Sequence, residues 1–369
     1  MARYTDATAE IEALIEQLIP SIRDVFLTLI RDVTDNVVLQ QVVKAFQMGD
    51  PVAAFEALGL SDAAMRPITK MIEDAYEAGG VTTGGTFPAR LKLPFGPSVV
   101  FRFDVRNSRA EQWLRENSAR LITEIQEETR VVVRNVMEDG MRRGVNPATS
   151  ALDLVGRLDA SGHRVGGTIG LTTAQEGWVR STRADLTTQN PRYFDRQLRG
   201  KNFDKIVKRA FDKGEPLPAE TVERLVTQYK ANALRYRGEV IGRTEAIKAL
   251  NKAQFEAINQ AIDMGAIKAS AVTREWDSAG DFRVRETHRL MDGQKVAFDQ
   301  PFKFPLGGLA MYPGDTDLNA PASETIQCRC RVKIKIDWLA GAVEYARKLP
   351  ADELAELRGL AFAKLPGEK

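Results

Sequence analysis

Apolar residues recur at helical spacing over most of this 369-residue chain. In residues 238–264, Ile247, Leu250 and Ile258 lie three or four positions from other apolar residues, and Gly265 ends the pattern. The same periodicity over residues 107–145 predicts a helix of about 35 residues. Such a chain folds mainly into packed helices, and sheets are confined to the stretches that break the period.

Changes in pattern divide the chain into five regions and predict an α+β protein that is predominantly α-helical, with helical N-terminal and middle regions and a small C-terminal α+β module. Pro20 predicts a break in the first helix, Gly79-Gly80 the end of a later one, and Gly238 the start of the helix at 238–264. The predicted regions are an N-terminal helical region (1–80), a loop or β-arm with a strand near Val99–Phe103 (81–106), a long helix and helical middle region (107–200), the C-terminal module (201–337), and a final helix and tail (338–369).

Composition excludes several classes of protein. The hydrophobic content is 43%, the charged content 28% and the net charge +2, which are ordinary values and not those of a polycation. No apolar run approaches the roughly 20 residues that span a bilayer, so no membrane segment is expected. The first residues lack the pattern of a secretory signal.

The stretch 276–334 concentrates the reactive side chains, with His288, one of the chain's two histidines, and both cysteines, Cys328 and Cys330. Alternation over residues 326–336 predicts a strand whose apolar face carries both cysteines and packs inward. Its other face is then basic and exposed.

Three interpretations of these residues stay open. Two thiolates on one strand face, with His288, suit a structural metal ion such as zinc, for which Asp281 or Asp292 would be a fourth ligand. Buried cysteines also commonly fill space without binding anything. A Cys–His nucleophile would instead make the protein a metal- or thiol-dependent enzyme, a nuclease or a transferase.

Basic residues gather in two places where they could contact phosphate groups. Either they form a DNA-facing surface, as in a non-specific DNA-binding protein, or they are a solvated face balanced by nearby aspartates. The candidate DNA-facing residues are Arg199, Lys201, Lys205, Lys208, Arg209, Arg329, Arg331, Lys333 and Lys335.

An ordered set of polar and aromatic residues runs through the C-terminal module and includes the segment Pro313-Gly314-Asp315. The motif residues are Arg243, Glu245, Asn251, Trp276, Asp281, Arg285, His288, Asp292, Cys328 and Cys330. In this order they resemble the phage Mu F-like head morphogenesis family, also called minor head proteins, over about residues 200–336.

The resemblance implies a non-enzymatic virion protein of a tailed bacteriophage or prophage. It implies a location inside the capsid near the portal vertex, with assembly in the host cytoplasm. Its implied partners are the portal protein, the major capsid or scaffolding protein and packaged double-stranded DNA, and its implied roles are head morphogenesis and DNA packaging or ejection.

Overall fold

The computed structural model describes residues 7–91 and 97–338, and the final helix and tail expected from residue 338 onward lie almost wholly outside these ranges. The described chain is mainly helical with small antiparallel sheets, which confirms the predicted fold class. None of the described helices is long and apolar enough to cross a membrane. The helices are α1 (Thr8–Asn36), α2 (Leu39–Met48), α3 (Pro51–Glu56), α4 (Arg66–Gly85), α5 (Ser108–Arg142), α6 (Pro147–Val155), α7 (Thr173–Thr187), α8 (Asp204–Lys213), α9 (Ala219–Asp263), α10 (Glu286–Met291) and α11 (Ala322–Thr325).

The strands form three separate sheets among the described residues. The largest has the order β4-β3-β7, and β3 pairs antiparallel with both neighbours. The strands are β1 (Arg157–Leu158), β2 (Arg164–Val165), β3 (Val272–Asp277), β4 (Lys295–Ala297), β5 (Phe302–Lys303), β6 (Leu309–Ala310) and β7 (Arg331–Ile336).

The chain forms two compact units, and each unit combines stretches that are distant in sequence. Unit 1 comprises Met1–Leu14, Tyr76–Asn107 and Ile247–Lys369; unit 2 comprises Ile15–Ala75 and Ser108–Ala246. Three of the four unit boundaries fall within α1, α4 and α9, and the fourth lies at the start of α5. The five-part division of the sequence stays a prediction about domains.

Helix starts follow the local chemistry of the sequence. The Asp50 side chain accepts hydrogen bonds from the first free N–H groups of α3, and Asn146 does the same for α6. Both helices have proline at their first position. Thr172 forms a reciprocal capping box with Gln175 at the start of α7.

Two predicted helix breaks are wrong. α1 continues through Pro20, where one backbone hydrogen bond is lost but Ile22 and Phe26 are fully buried in the following turns. α9 is a single helix of 45 residues that continues through Gly238. A Cβ atom at Gly238 would lie 3.0 Å from Cγ of Arg23, so this glycine serves close packing rather than a helix boundary.

The glycines at the end of α4 also serve packing. α4 continues past Gly79 and Gly80 to Gly85. A Cβ atom at Gly80 would lie 2.2 Å from the Phe103 ring, and one at Gly84 would lie 2.6 Å from the Phe101 ring. The predicted strand near Val99 is a single bridge to Leu91, because the aromatic side chains of this arm pack onto the glycine face of α4.

In unit 1, the sheet packs against the C-terminal half of α9. Ala257, Ile258 and Ala261 of α9 share one buried core with Trp276 of β3 and Val332 of β7. Small residues on this face of α9 let the helix approach the sheet closely. The core therefore joins the helix that carries Asn251 to the strand that carries Trp276.

Candidate functional site

His288, Cys328 and Cys330 lie together inside unit 1, and we call them the His-Cys cluster. Nδ1 of His288 is 3.2 Å from Sγ of Cys330 and 3.7 Å from Sγ of Cys328. One ligand atom from each residue lies within 4.8 Å of the other two. Each side chain is about 1% exposed. The fold thus brings His288 to two cysteines that lie 40 and 42 residues later in the sequence, which gathers three potential metal ligands.

Both cysteines precede β7 instead of lying on it, because the strand begins only at Arg331. Gln327 has a φ of 55°, which turns the backbone between α11 and the cysteines. The N–H of Cys328 donates to the carbonyl of Thr325, and the N–H of Cys330 donates to Sγ of Cys328 at 3.4 Å. The predicted strand over 326–336 is therefore too long by five residues, and Ile326 is exposed at 42%.

Glu324 faces the other side of the His288 ring, a position that no sequence pattern indicated. Its Oε2 lies 2.9 Å from Nε2 of His288 and accepts a hydrogen bond from the Thr287 hydroxyl at 2.8 Å. A carboxylate at one ring nitrogen fixes the ring orientation and the position of the other nitrogen. Glu324 thereby directs Nδ1 toward the two sulfur atoms.

The two thiols differ in acidity although they are neighbours. The hydrogen bond with Cys330, joined by the one with His288, holds the pKa of Cys328 well below its ordinary value despite burial. The hydrogen bond with Cys328 and burial together raise the pKa of Cys330. Cys328 is therefore the more acidic thiol of the pair, and a nucleophilic role would need an access route that its 1% exposure does not provide.

The two aspartates considered as a fourth ligand have other partners. Asp281 accepts hydrogen bonds from Arg329 at 2.6 and 2.8 Å and also pairs with Arg283. The Asp292 side chain accepts the Ser278 N–H at 2.8 Å. Within the described ranges, the group that could hold a metal contains neither aspartate.

Asn251 connects α9 to two other parts of the module. Its amide nitrogen donates to the carbonyls of Ile247 and Pro313, and its amide oxygen accepts from the N–H of Val332. A buried side chain with all of these bonds made fixes the loop and β7 against the helix. These hydrogen bonds give Asn251 a structural role in the motif.

The Pro313–Asp315 turn packs directly on the backbone of α9. A Cβ atom at Gly314 would lie 3.3 Å from Cα of Lys248, and the φ of Gly314 is 87°. The buried Asp315 carboxylate accepts from the N–H groups of Met311 and Asp317. Burial raises the pKa of Asp315 above its ordinary value.

Arg274 and Trp276 occupy the buried face of β3. The Arg274 guanidinium is fully buried and donates to the carbonyls of Met311, Ala297 and Gln300. Burial lowers its pKa to about 10. The Trp276 ring packs edge-on against His288 at a centroid distance of 5.4 Å. Arg274 was missed in the sequence because an arginine in a strand ordinarily indicates an exposed face.

The remaining motif residues also make contacts within their own units. In unit 1, Arg285 donates to the carbonyl of Ile326, just before the cysteines. In unit 2, Glu245 accepts a hydrogen bond from Asn117 at 2.8 Å and is buried. Arg243 lies half-buried on α9. These two hydrogen bonds hold segments of the same unit together.

The basic face of β7 differs from the exposed surface that the sequence predicted. Its cations are half-buried and each is paired with a carboxylate. The pairs are Arg329 with Asp281, Arg331 with Asp277 and Glu12, Lys333 with Asp277, and Lys335 with Glu275. The acidic partners come mainly from β3, so the charges on this face largely cancel.

The second basic region lies in unit 2 at α8. Lys201, Lys205, Lys208 and Arg209 are exposed, and we call them the α8 basic patch. They make no ion pair with any residue that the structure describes. Arg199, by contrast, is half-buried and pairs with Asp204 at 3.0 Å. The patch therefore keeps its positive charge, whereas Arg199 does not.

Comparison with known proteins bears on this same part of the chain. Residues 198–333 match the family model described as Phage Mu protein F like protein. The matched range contains every motif residue and confirms the resemblance predicted from them.

A curated relative adds a second likeness. It is the minor head protein GP7 of Bacillus phage SPP1, 33% identical over 82 residues, which are 22% of this chain and 26% of that protein. The match thus spans about a quarter of the length of the relative. No solved structure matches this chain.

Proposed function

We propose that this chain is a minor head protein of a tailed bacteriophage or prophage, incorporated into the capsid and active in head morphogenesis. The observation that carries the proposal is the family match over residues 198–333, together with motif residues that interlock within their units. The likeness to a protein named as a minor head protein supports the same class.

Within this function we propose a position inside the head near the portal vertex, with assembly in the host cytoplasm. The portal protein and the major capsid or scaffolding protein are the partners proposed for the N-terminal helices. Three large apolar side chains in unit 2 are exposed and offer area for such contacts. They are Val38, Met48 and Val52, which are 52%, 70% and 56% exposed.

Packaged double-stranded DNA is the partner proposed for the α8 basic patch. Its unpaired cations meet the requirement for contacts with phosphate groups, which carry no sequence information. The role proposed for this surface is in DNA packaging or ejection. The paired cations of β7 and Arg199 offer little net charge to DNA, so the proposal rests on α8 alone.

The proposal includes no enzymatic activity. A thiol nucleophile must reach its substrate, and both cysteines of the His-Cys cluster are about 1% exposed. The cluster therefore suits a structural role better than a nuclease or transferase site.

Deletion of the gene from the phage or prophage tests the head function. We expect fewer infective particles, heads with altered DNA content or failed DNA delivery, and restoration by the wild-type gene supplied in trans. We also expect a tagged chain to capture the portal protein from induced cells. Normal particles without the chain, together with no portal protein captured, would remove the proposal.

A further inference from the structure

We propose that His288, Cys328 and Cys330 bind one zinc ion through Nδ1 and the two thiolate sulfurs, and that this ion clips α10 to the start of β7. The inference rests on the geometry and chemistry of the His-Cys cluster and does not depend on the head function. Imidazole nitrogen and thiolate sulfur are the donors that structural zinc sites most often use.

The distances between the donor atoms fit a single ion. Zinc bonds of about 2.3 Å to sulfur and about 2.05 Å to nitrogen place tetrahedral ligands about 3.6 Å apart for a nitrogen–sulfur pair. Nδ1 of His288 lies 3.2 Å from one sulfur and 3.7 Å from the other. These two nitrogen–sulfur distances differ from that separation by a few tenths of an ångström, and all three donor atoms lie within 4.8 Å of one another.

Glu324 supplies the support that metal-binding histidines usually have. Its carboxylate lies 2.9 Å from Nε2, the nitrogen that the metal would not use. A carboxylate beside the nitrogen that does not bind the metal is the usual support of a metal-binding histidine, and it would leave Nδ1 as the ligand atom. The Thr287 hydroxyl fixes that carboxylate in turn.

The backbone around the cysteines is arranged for a metal-bound thiolate. The N–H of Cys330 points to Sγ of Cys328 at 3.4 Å, and such N–H groups stabilise negative charge on sulfur. Aromatic rings close the surroundings, with Trp276 at 5.4 Å and Phe304 at 5.7 Å from the His288 ring centroid. Exclusion of water strengthens the attraction between the cation and its thiolates.

A clip at this position would add to the hydrogen bonds of Thr287 with Glu324 and of Arg285 with Ile326, which already join α10 to the segment before β7. α10 has six residues and α11 has four, which is too short for either helix to be stable alone. Metal binding closes the loop of about 40 residues between His288 and the cysteines, so binding free energy becomes folding free energy for this part of unit 1.

The test measures zinc in the full chain, purified without a histidine tag under reducing conditions from zinc-supplemented cells. We expect about one zinc per chain by elemental analysis. The Cys328→Ser/Cys330→Ser variant should lose it. His163→Asn is the matched control, because His163 is the other histidine, exposed and paired with Asp35, and this variant should keep the zinc. Glu324→Gln should keep the site but bind zinc about 10–100-fold more weakly in a chelator competition.

A second measurement keeps the test decisive if the double variant does not fold. Cobalt exchanged into the wild-type chain should give sulfur-to-cobalt charge-transfer absorption and the visible bands of a tetrahedral site. Full zinc in the soluble double variant would overturn the proposal. So would a folded wild-type chain that holds no zinc and gives no such cobalt spectrum.

Discussion

Two buried cations, Lys230 and Arg274, donate to main-chain carbonyl oxygens where a carboxylate partner would be the usual arrangement. Lys230 in unit 2 donates to Gly166 at 2.9 Å and Asp153 at 3.3 Å. Arg274 in unit 1 joins three carbonyls from the segments around β4, β5 and β6. Each cation thus ties its own element to main-chain carbonyl groups of other segments. The energetic cost is desolvation of the charge.

Lys230 should make stability depend on pH in an identifiable window. Burial lowers its pKa from 10.5 to about 8 in the folded chain. Between these values the unfolded chain binds a proton that the folded chain does not, so stability rises with pH through this window. The expected gain in the free energy of unfolding is about 2 kcal/mol from about pH 7.5 to about pH 9.5.

Urea unfolding of Lys230→Met at several pH values checks this prediction. The variant should lack the rise that the wild-type chain shows. Lys44→Met, which changes an exposed lysine, should retain it. Equal pH dependence in the wild-type chain and Lys230→Met would contradict the assignment.

Glycines control how closely the helices approach one another. In unit 2, a Cβ atom at Gly242 of α9 would lie 2.5 Å from the carbonyl oxygen of Ile19 in α1. In unit 1, Gly80 and Gly84 of α4 leave room for the rings of Phe103 and Phe101 in the same way. Glycine within a helix is less favourable than alanine, so at these positions the close packing must offset the lower helix propensity.

Gly242→Ala and Gly177→Ala should therefore change stability in opposite directions. Gly177 is also helical, in α7, but a Cβ atom there meets nothing within 4 Å. Gly177→Ala should raise the free energy of unfolding by about 0.5–1 kcal/mol, and Gly242→Ala should lower it by about 1–3 kcal/mol. Chemical denaturation measures both, and a stabilising Gly242→Ala would show that α1 and α9 do not approach this closely.

The α8 basic patch makes a separate prediction about DNA. Lys205→Glu/Lys208→Glu should weaken binding to a labelled double-stranded DNA and reduce the slope of log affinity against log salt by about 2. Fluorescence anisotropy at several salt concentrations measures both quantities. Lys44→Glu/Arg66→Glu changes the same number of exposed cations elsewhere in unit 2 and should bind as the wild-type chain does. Equal losses in both variants would assign the effect to net charge and not to α8.

Sequence periodicity predicted the elements better than their ends. The long helix expected over 107–145 is α5, since an unbroken apolar face identifies a helix wherever it packs. Pro20 and Gly238 were interpreted as breaks because their local preference opposes a helix, whereas tertiary packing overrides that preference in α1 and α9. Close packing against Phe101 or Phe103 is a property of the folded chain that spacing cannot reveal.

The sequence predicted the three candidate metal ligands but not the buried charged residues of the same unit. His288, Cys328 and Cys330 were identified as a group because reactive side chains are rare in this chain. Glu324 and Arg274 were missed, since an acidic or basic residue alone gives no sign of burial. The pairing of β7 cations with β3 carboxylates likewise depends on strand register, which the sequence did not specify.

At the scale of the whole molecule, the proposed place of the chain is the phage head, and the protein composition of purified particles tests this most directly. Quantitative mass spectrometry should compare DNA-filled heads, purified by density gradient, with the major capsid protein as internal reference. The account predicts that the chain is present at a fixed low ratio to the capsid protein and stays with the particle through repeated gradients. A chain found in the lysate but absent from DNA-filled heads would contradict the account.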